Sequence, residues 1–168
     1  GAYVVLHDYT AKDPSGNNNG LVDYGETIDL DVILENIGAE DATDVYAELS
    51  TSDPYVTITN DYQDWGTIAS GTTSAQTDAY TFDVAGHVPD QHNVDFELAI
   101  TGTVKDTWYS TLTVTLNAPL FALGAAWVDD SQSGNGNGRL DPGETADIIV
   151  PVLNGGHCDA IEANATLA

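Results

Sequence analysis

Between Ser15 and Glu26 the chain spaces its oxygen donors as a divalent cation would need them. Ser15, Asn17 and Asn19 alternate, Gly20 stands at a turn, the Leu21 carbonyl falls next in the rhythm, and Asp23 and Glu26 close the segment. Calcium takes about six to eight hard oxygens, and a loop with donors at positions 1, 3, 5, 7, 9 and 12 around a glycine supplies them from contiguous sequence, the last Glu in bidentate fashion. The same slots recur in Ser133, Asn135, Asn137, Gly138, Arg139 through its carbonyl, Asp141 and Glu144. Two structural calcium sites are therefore expected. The plain alternative is a surface turn rich in Ser, Gly and Asn, and the recurrence argues against it.

The loop departs from an EF-hand in three ways. Position 1 is serine, the middle donors are neutral Asn, and the residues after Glu26 read as a strand. Asp13 in the first loop, and Asp130 or Asp129 in the second, are the carboxylates that could reach back and add charge. With so few formal charges the expected affinity is weak, about 10⁻⁴ to 10⁻³ M, the range of extracellular modules. That suits a clip that stabilises the fold better than a signalling switch.

The recurrence is an internal repeat at an offset of 118 residues. Ser15 to Glu26 falls on Ser133 to Glu144 with eight of twelve positions identical. The register continues through Thr27, Asn36, Gly38 and Leu49, which meet Thr145, Asn154, Gly156 and Leu167, and extends backwards by setting Tyr3 and Tyr9 on Phe121 and Trp127.

The elements that must position these loops are strands. Ile28, Leu30, Val32 and Leu34 share one face while Asp29, Asp31 and Glu35 take the other. Similar alternation runs through Tyr3 to Tyr9, Val45 to Leu49, Val56 to Ile58, Tyr80 to Val84, Val94 to Ile100 and Trp108 to Leu116, with Gly, Asp, Asn and Pro between. No window carries a helical apolar stripe. About seven strands in residues 1–117 predict an all-β, seven-stranded immunoglobulin-like sandwich. Residues 118–168 predict a truncated second copy of the same unit. Half a sandwich cannot bury its own sheet face, so this part should be covered by the first unit, by further polypeptide, or by strand exchange with another chain.

Composition narrows the function. Acidic residues number 27 against 3 basic ones, a formal charge of -24, which makes nucleic acid and anionic membrane surfaces poor partners and argues for neither nucleic-acid binding nor membrane insertion. Bound divalent cations or a saline surrounding would reduce the self-repulsion. Cys158 is the one cysteine, so no intrachain disulfide can staple the fold, and metal clips are the substitute expected in an extracellular or cell-surface domain. No apolar stretch is long enough for a membrane span. With no methionine, the sequence reads as an internal fragment.

Gly134 to Thr145, followed by an alternating strand that ends in Asn154-Gly-Gly156, resembles the opening of CARDB-type immunoglobulin-like repeats of secreted bacterial proteins. Leu34-Glu-Asn-Ile-Gly38, Leu49 to Val56, Trp65-Gly-Thr-Ile68 and the Trp108 strand continue the likeness in the first copy. Such modules typically follow gingipain-like or subtilisin-like peptidase domains. The resemblance thus implies a non-catalytic accessory module, a spacer, stabiliser or adhesion element whose partners are the catalytic domain of its parent chain and the cell envelope or a polysaccharide. The family often has Asp where this chain has Asn19 and Asn137, which bears on affinity.

Other chemistries fit less well. His157 and Cys158 are the one pair suggesting a nucleophile and base, but neighbours on a strand or turn point apart. His7, His87 and His92 lack ligand spacing and are expected at the surface or in loops. The alternative function is carbohydrate binding through Trp65, Trp108, Trp127, Tyr62 and Tyr109, although Trp108 and Trp127 alternate with core residues. An isopeptide crosslink through Lys105 is weaker still, because its surroundings suit solvent exposure.

Overall fold

The computed structural model describes residues 1–103 and 107–168, and the Lys105 reading lies outside them. The chain divides into two compact units, Gly1–Ala118 and Pro119–Ala168. The described residues contain strands, turns and bends with no helix, hence none long and apolar enough to cross a membrane.

Unit 1 is a two-sheet immunoglobulin-like sandwich. Its strands are β1 (Val4–Lys12), β2 (Val22–Asp23), β3 (Thr27–Asn36), β4 (Ala42–Ser50), β5 (Val56–Asn60), β6 (Tyr62–Ile68), β7 (Thr73–Val84), β8 (His92–Thr101) and β9 (Thr107–Asn117). One sheet runs β1-β3-β7-β5 and the other β2-β9-β8-β4-β6. With the two-residue β2 and the edge strand β6 set aside, the first, second, fifth and fourth strands form one sheet and the last, its predecessor and the third form the other, which is the Greek-key order of immunoglobulin domains. Strand β2 joins β9 in parallel, with Val22 opposite Leu116 and Asp23 opposite Asn117.

Alternation explains most of this. Ile28, Leu30, Val32 and Leu34 are fully buried, and they face Val94, Phe96, Leu98, Ile100 and Leu116 in the core between the sheets. Tyr80, Phe82 and Phe96 are the largest side chains buried in full. Phe82 meets Phe96 at a centroid distance of 5.1 Å, and the Tyr80 hydroxyl donates to the Ala47 carbonyl at 2.9 Å, so its burial leaves no orphan.

The structure adds to the seven expected strands. Strand β6 escapes the alternation rule because its buried residues, Trp65 and Ile68, lie three apart. The pairing with β4 shifts register around Val45 and Gly66, and Gly66 takes a φ of +66° that favours glycine. Strand β7 begins at Thr73, well before the apolar run, because a register shift opposite Leu30 and Val32 breaks its alternation.

Unit 2 contains two short antiparallel pairs. They are formed by β10 (Phe121–Leu123) with β13 (Val152–Asn154), and β11 (Trp127–Asp129) with β12 (Asp147–Ile149). Phe121 opposes Asn154 as Val4 opposes Asn36, and Asp129 opposes Asp147 as Lys12 opposes Asp29. Residues before the loop are thus shifted by 117 between the units and those after it by 118. The equivalence of Tyr3 with Phe121 and Tyr9 with Trp127 is one residue out, since the structure sets Phe121 on Val4 and Trp127 on Thr10. The cause is one extra residue inside the second loop: Gly16 N–H bonds the Asp13 carbonyl, three residues back, whereas Gly134 N–H bonds that of Asp130, four back. Trp127, expected among core residues, is 53% exposed, because within the described residues of unit 2 the only sheets are the two short pairs and no second sheet faces them.

Candidate metal centres

Both loops are organised around a buried aspartate that precedes the donor run. Asp13 is 1% exposed; its Oδ2 accepts the Asn19 N–H at 3.1 Å and its Oδ1 the Gly20 N–H at 3.0 Å. Asp130 is 2% exposed and accepts from Asn137 N–H and Gly138 N–H at 3.1 and 3.0 Å. Ser15 and Ser133, placed first in the donor series, lie exposed at the loop surface. Asp129 turns aside: its Oδ1 takes the Ser131 hydroxyl and N–H at 2.6 and 3.1 Å, and those bonds hold its carboxyl below the usual range.

The remaining donors converge on the far side of each loop. Asn17 Nδ2 and Asn19 Nδ2 donate to Asp23 Oδ2 at 2.8 and 3.1 Å. Glu26 closes the ring, its Oε1 accepting Asn17 N–H and its Oε2 accepting Asp23 N–H, at 3.1 and 3.0 Å. In unit 2, Asn135 and Asn137 donate to Asp141 Oδ2 at 3.0 and 2.8 Å, and Glu144 accepts from Asn135 N–H and Asp141 N–H. The amide bonds lower the Asp141 carboxyl, that of Asn137 most. Leu21 N–H and Arg139 N–H bond the Oδ1 of Asn19 and Asn137 at 2.7 and 2.8 Å, which holds both residues within the loop.

Glycine makes the closure feasible. A side chain at Gly16 would strike the Glu26 carboxylate, with Cδ only 2.7 Å from a Cβ, and one at Gly134 would meet Asp130 and Glu144 within 3.1 Å.

Two observations bear on whether an ion fits. Asp23 is 1% exposed, and its Oδ1 is buried with no hydrogen-bond partner. An orphaned carboxylate oxygen costs its full desolvation penalty unless something positive meets it. Against this, no group of three or more His, Cys, Asp or Glu side chains is gathered as a cation cage among the described residues. Any site would draw on Asn amide oxygens as well, each of which already accepts one backbone N–H and keeps a second lone pair. The mixed oxygen set suits calcium, not a soft metal.

The first loop is also stitched to the sandwich. Tyr24 N–H bonds the Asn117 carbonyl at 2.9 Å beside the β2–β9 pairing. Asp141, with no β2 counterpart in unit 2, is only half-buried.

A second repeated constellation went unread as a site. Asn36 is fully buried; its Oδ1 accepts Tyr3 N–H and Gly38 N–H, and its Nδ2 donates to the Glu40 and Ile68 carbonyls at 2.8 and 3.0 Å. Asn154 repeats three of these bonds, to Leu120 N–H, Gly156 N–H and the Cys158 carbonyl. Its signal was the Asn-x-Gly shared by both copies. These bonds satisfy backbone groups, which makes the hub structural.

Elsewhere, Cys158 Sγ lies 3.4 Å from the Asp159 carbonyl in the turn after β13, with His157 exposed beside it. His87 is exposed in the loop between β7 and β8 and His7 is exposed on β1, as expected, whereas His92 is half-buried on β8. Nδ1 of His7 is 2.9 Å from Glu35, and Nε2 of His92 is 2.6 Å from Asp53. Trp65 is buried, and Trp108 packs against the core with its ring edge-on to Tyr3 at 6.4 Å. Of the aromatic residues considered for sugar binding in unit 1, Tyr62 and Tyr109 are the exposed ones.

No family model matches the chain, and no curated protein matches it. Among solved structures, it is similar to native alpha-2-macroglobulin from Escherichia coli spanning the residues from domain MG7 to the C-terminus, at 11% identity and a TM-score of 0.47. The alignment takes in 75% of this chain and 20% of that one.

Proposed function

We propose that this chain is a non-catalytic accessory segment of a larger secreted or cell-surface bacterial protein, a peptidase, in which each of two CARDB-type repeats is clipped by one calcium ion. The observation that carries the reading is the buried Asp23 oxygen without a partner, inside a loop whose hydrogen-bond network is repeated in unit 2. Asp13, Asn17, Asn19, the Leu21 carbonyl, Asp23 and Glu26 would hold the first ion. Asp130, Asn135, Asn137, the Arg139 carbonyl, Asp141 and Glu144 would hold the second. When bound, calcium supplies the positive charge these carboxylates otherwise lack. The chain's own residues tie the first loop to the last strand of the sandwich through β2, so fastening the loop fastens the domain edge.

Membership in a larger assembly is supported by apolar side chains that unit 2 leaves uncovered. Phe121, Ile148, Val150 and Val152 are 39–52% exposed, whereas their counterparts Val4, Leu30, Val32 and Leu34 are fully buried in unit 1. Burying such a side chain in full is worth about 1.5–3 kcal/mol, and about half of that remains to be gained at each of these positions. Further polypeptide over this face is the economical way to recover that energy.

Calorimetric titration of calcium into chelator-treated protein tests the metal reading. The expected result is two binding events per chain, of which Asp23→Asn removes one and Asp141→Asn the other. Absence of any saturable binding at millimolar calcium overturns it.

A further inference from the structure

The outer face of the sheet β2-β9-β8-β4-β6 carries a row of residues in one cross-strand line. Tyr62 on β6 opposes Glu48 on β4, Glu48 opposes Ala99 on β8, and Ala99 opposes Tyr109 on β9. Three strand spacings separate the two tyrosines, about 14 Å. Both are well exposed, at 48% and 65%, and small Ala99 keeps the ground between them low. Tyr46, diagonal to Tyr62, stacks on it with centroids 5.6 Å apart and planes at 28°, which stiffens that end into a two-ring ledge.

The row is flanked by hydroxyls and carboxylates. The adjacent cross-strand line is Ser50, Glu97 and Thr111, and a shallow groove lined by these together with Thr51, Ser52 and Asp95 opens beside it. Among the described residues this face bears no Lys or Arg. An anionic polymer is therefore repelled. An apolar partner would leave the carboxylates and hydroxyls desolvated and unpaired.

A chain of sugar rings matches both halves of this chemistry. Its C–H faces lie on aromatic rings, and its hydroxyls donate to carboxylates and exchange bonds with threonines. We infer that the outer face of the five-stranded sheet is a binding platform for a neutral polysaccharide, with Tyr62 and Tyr109 as the stacking residues and Glu48 and Glu97 as acceptors for sugar hydroxyls. The site is built from unit 1 alone and does not depend on either loop.

Affinity electrophoresis of the full chain through gels containing hydroxyethylcellulose, mixed-linkage β-glucan, arabinoxylan or galactomannan tests this. Retardation by at least one polymer is expected, unchanged in excess chelator, with Tyr62→Ala and Tyr109→Ala each weakening it roughly tenfold while the melting temperature holds. Unretarded migration in all four gels, or retardation that survives the double variant, overturns the platform. A shift in sedimentation of the unliganded chain on Tyr109→Ala would assign the face to a second copy instead, and equally overturns it.

Discussion

Asp23→Asn should change the sign of its effect between chelator and calcium. In the wild-type chain without metal, Asp23 carries a buried oxygen with no partner, and such a group costs about 1–3 kcal/mol. Asn keeps one oxygen for the two amides of Asn17 and Asn19 and exchanges the uncompensated charge for a neutral amide nitrogen, itself without a partner there, which costs less to bury than a charge. In chelator the variant should melt at the same temperature as the wild type or higher. In 10 mM calcium, with a dissociation constant near 10⁻⁴ M, ligand binding adds about 2.7 kcal/mol to the wild type. At about 4 °C per kcal/mol for a domain of this size, that raises its melting temperature by about 10 °C. The variant forgoes most of that gain, so the order of stability inverts. Near-ultraviolet circular dichroism, where buried Trp65, Tyr80 and Phe82 report on unit 1, follows the transition. A variant equally destabilised in both conditions, or a wild type indifferent to calcium, would refute the reasoning.

Asn36→Ala removes four hydrogen bonds to buried or half-buried backbone groups, and should cost at least about 3 kcal/mol in denaturant unfolding. Phe82→Ala, opening a cavity against Phe96, should cost about 3–5 kcal/mol in the same assay. Burial raises the Tyr80 hydroxyl far above its ordinary value, so the unfolded chain loses that proton first. Stability should be complete below pH ~10 and fall as pH climbs beyond it, a slope that Tyr80→Phe abolishes in alkaline melts. The Asp141 carboxyl is lowered by Asn137 and Asn135, so its contribution to unit 2 is present above pH ~4 and lost below it. Side-chain NMR of Asp141 across that range should show protonation at lower pH than in a model peptide.

Strands with strict alternation were legible because a half-buried strand must place apolar residues two apart, as Ile28 to Leu34 do. Strand β6 was hidden for the opposite reason: a bulge at Gly66 carries Trp65 and Ile68 to the same side at a spacing of three. In the loops, the repeated Asn, Asp and Glu residues were visible as a set, and the structure draws them into one network. Asp13 could be named as a carboxylate able to reach back, but its burial under the Asn19 and Gly20 amides depends on how the chain turns before Gly16. The same turn, one residue longer in unit 2, shifted the apparent equivalence of the preceding strands. Asn36 could be seen to recur, but nothing in a lone Asn-x-Gly reveals that four backbone groups from three parts of the chain meet it. Trp127 was misjudged because alternation reports which side of a strand a residue occupies, and says nothing of whether a second sheet is present.

The parallel splice of β2 onto β9 also decides how unit 1 carries load. Because the chain enters along β1 and leaves along β9 in the same direction, a pull on its two ends slides these strands lengthwise past their neighbours. Leu6 N–H on the Ser110 hydroxyl and the Tyr9 hydroxyl on the Thr113 carbonyl cross-stitch β1 directly to β9. Under tension these bonds, the β2–β9 pairing and the Tyr24–Asn117 contact are strained together, and none can open ahead of the rest like the teeth of a zip. Unit 1 is thereby a link that resists stretching at the seam where the first loop is anchored.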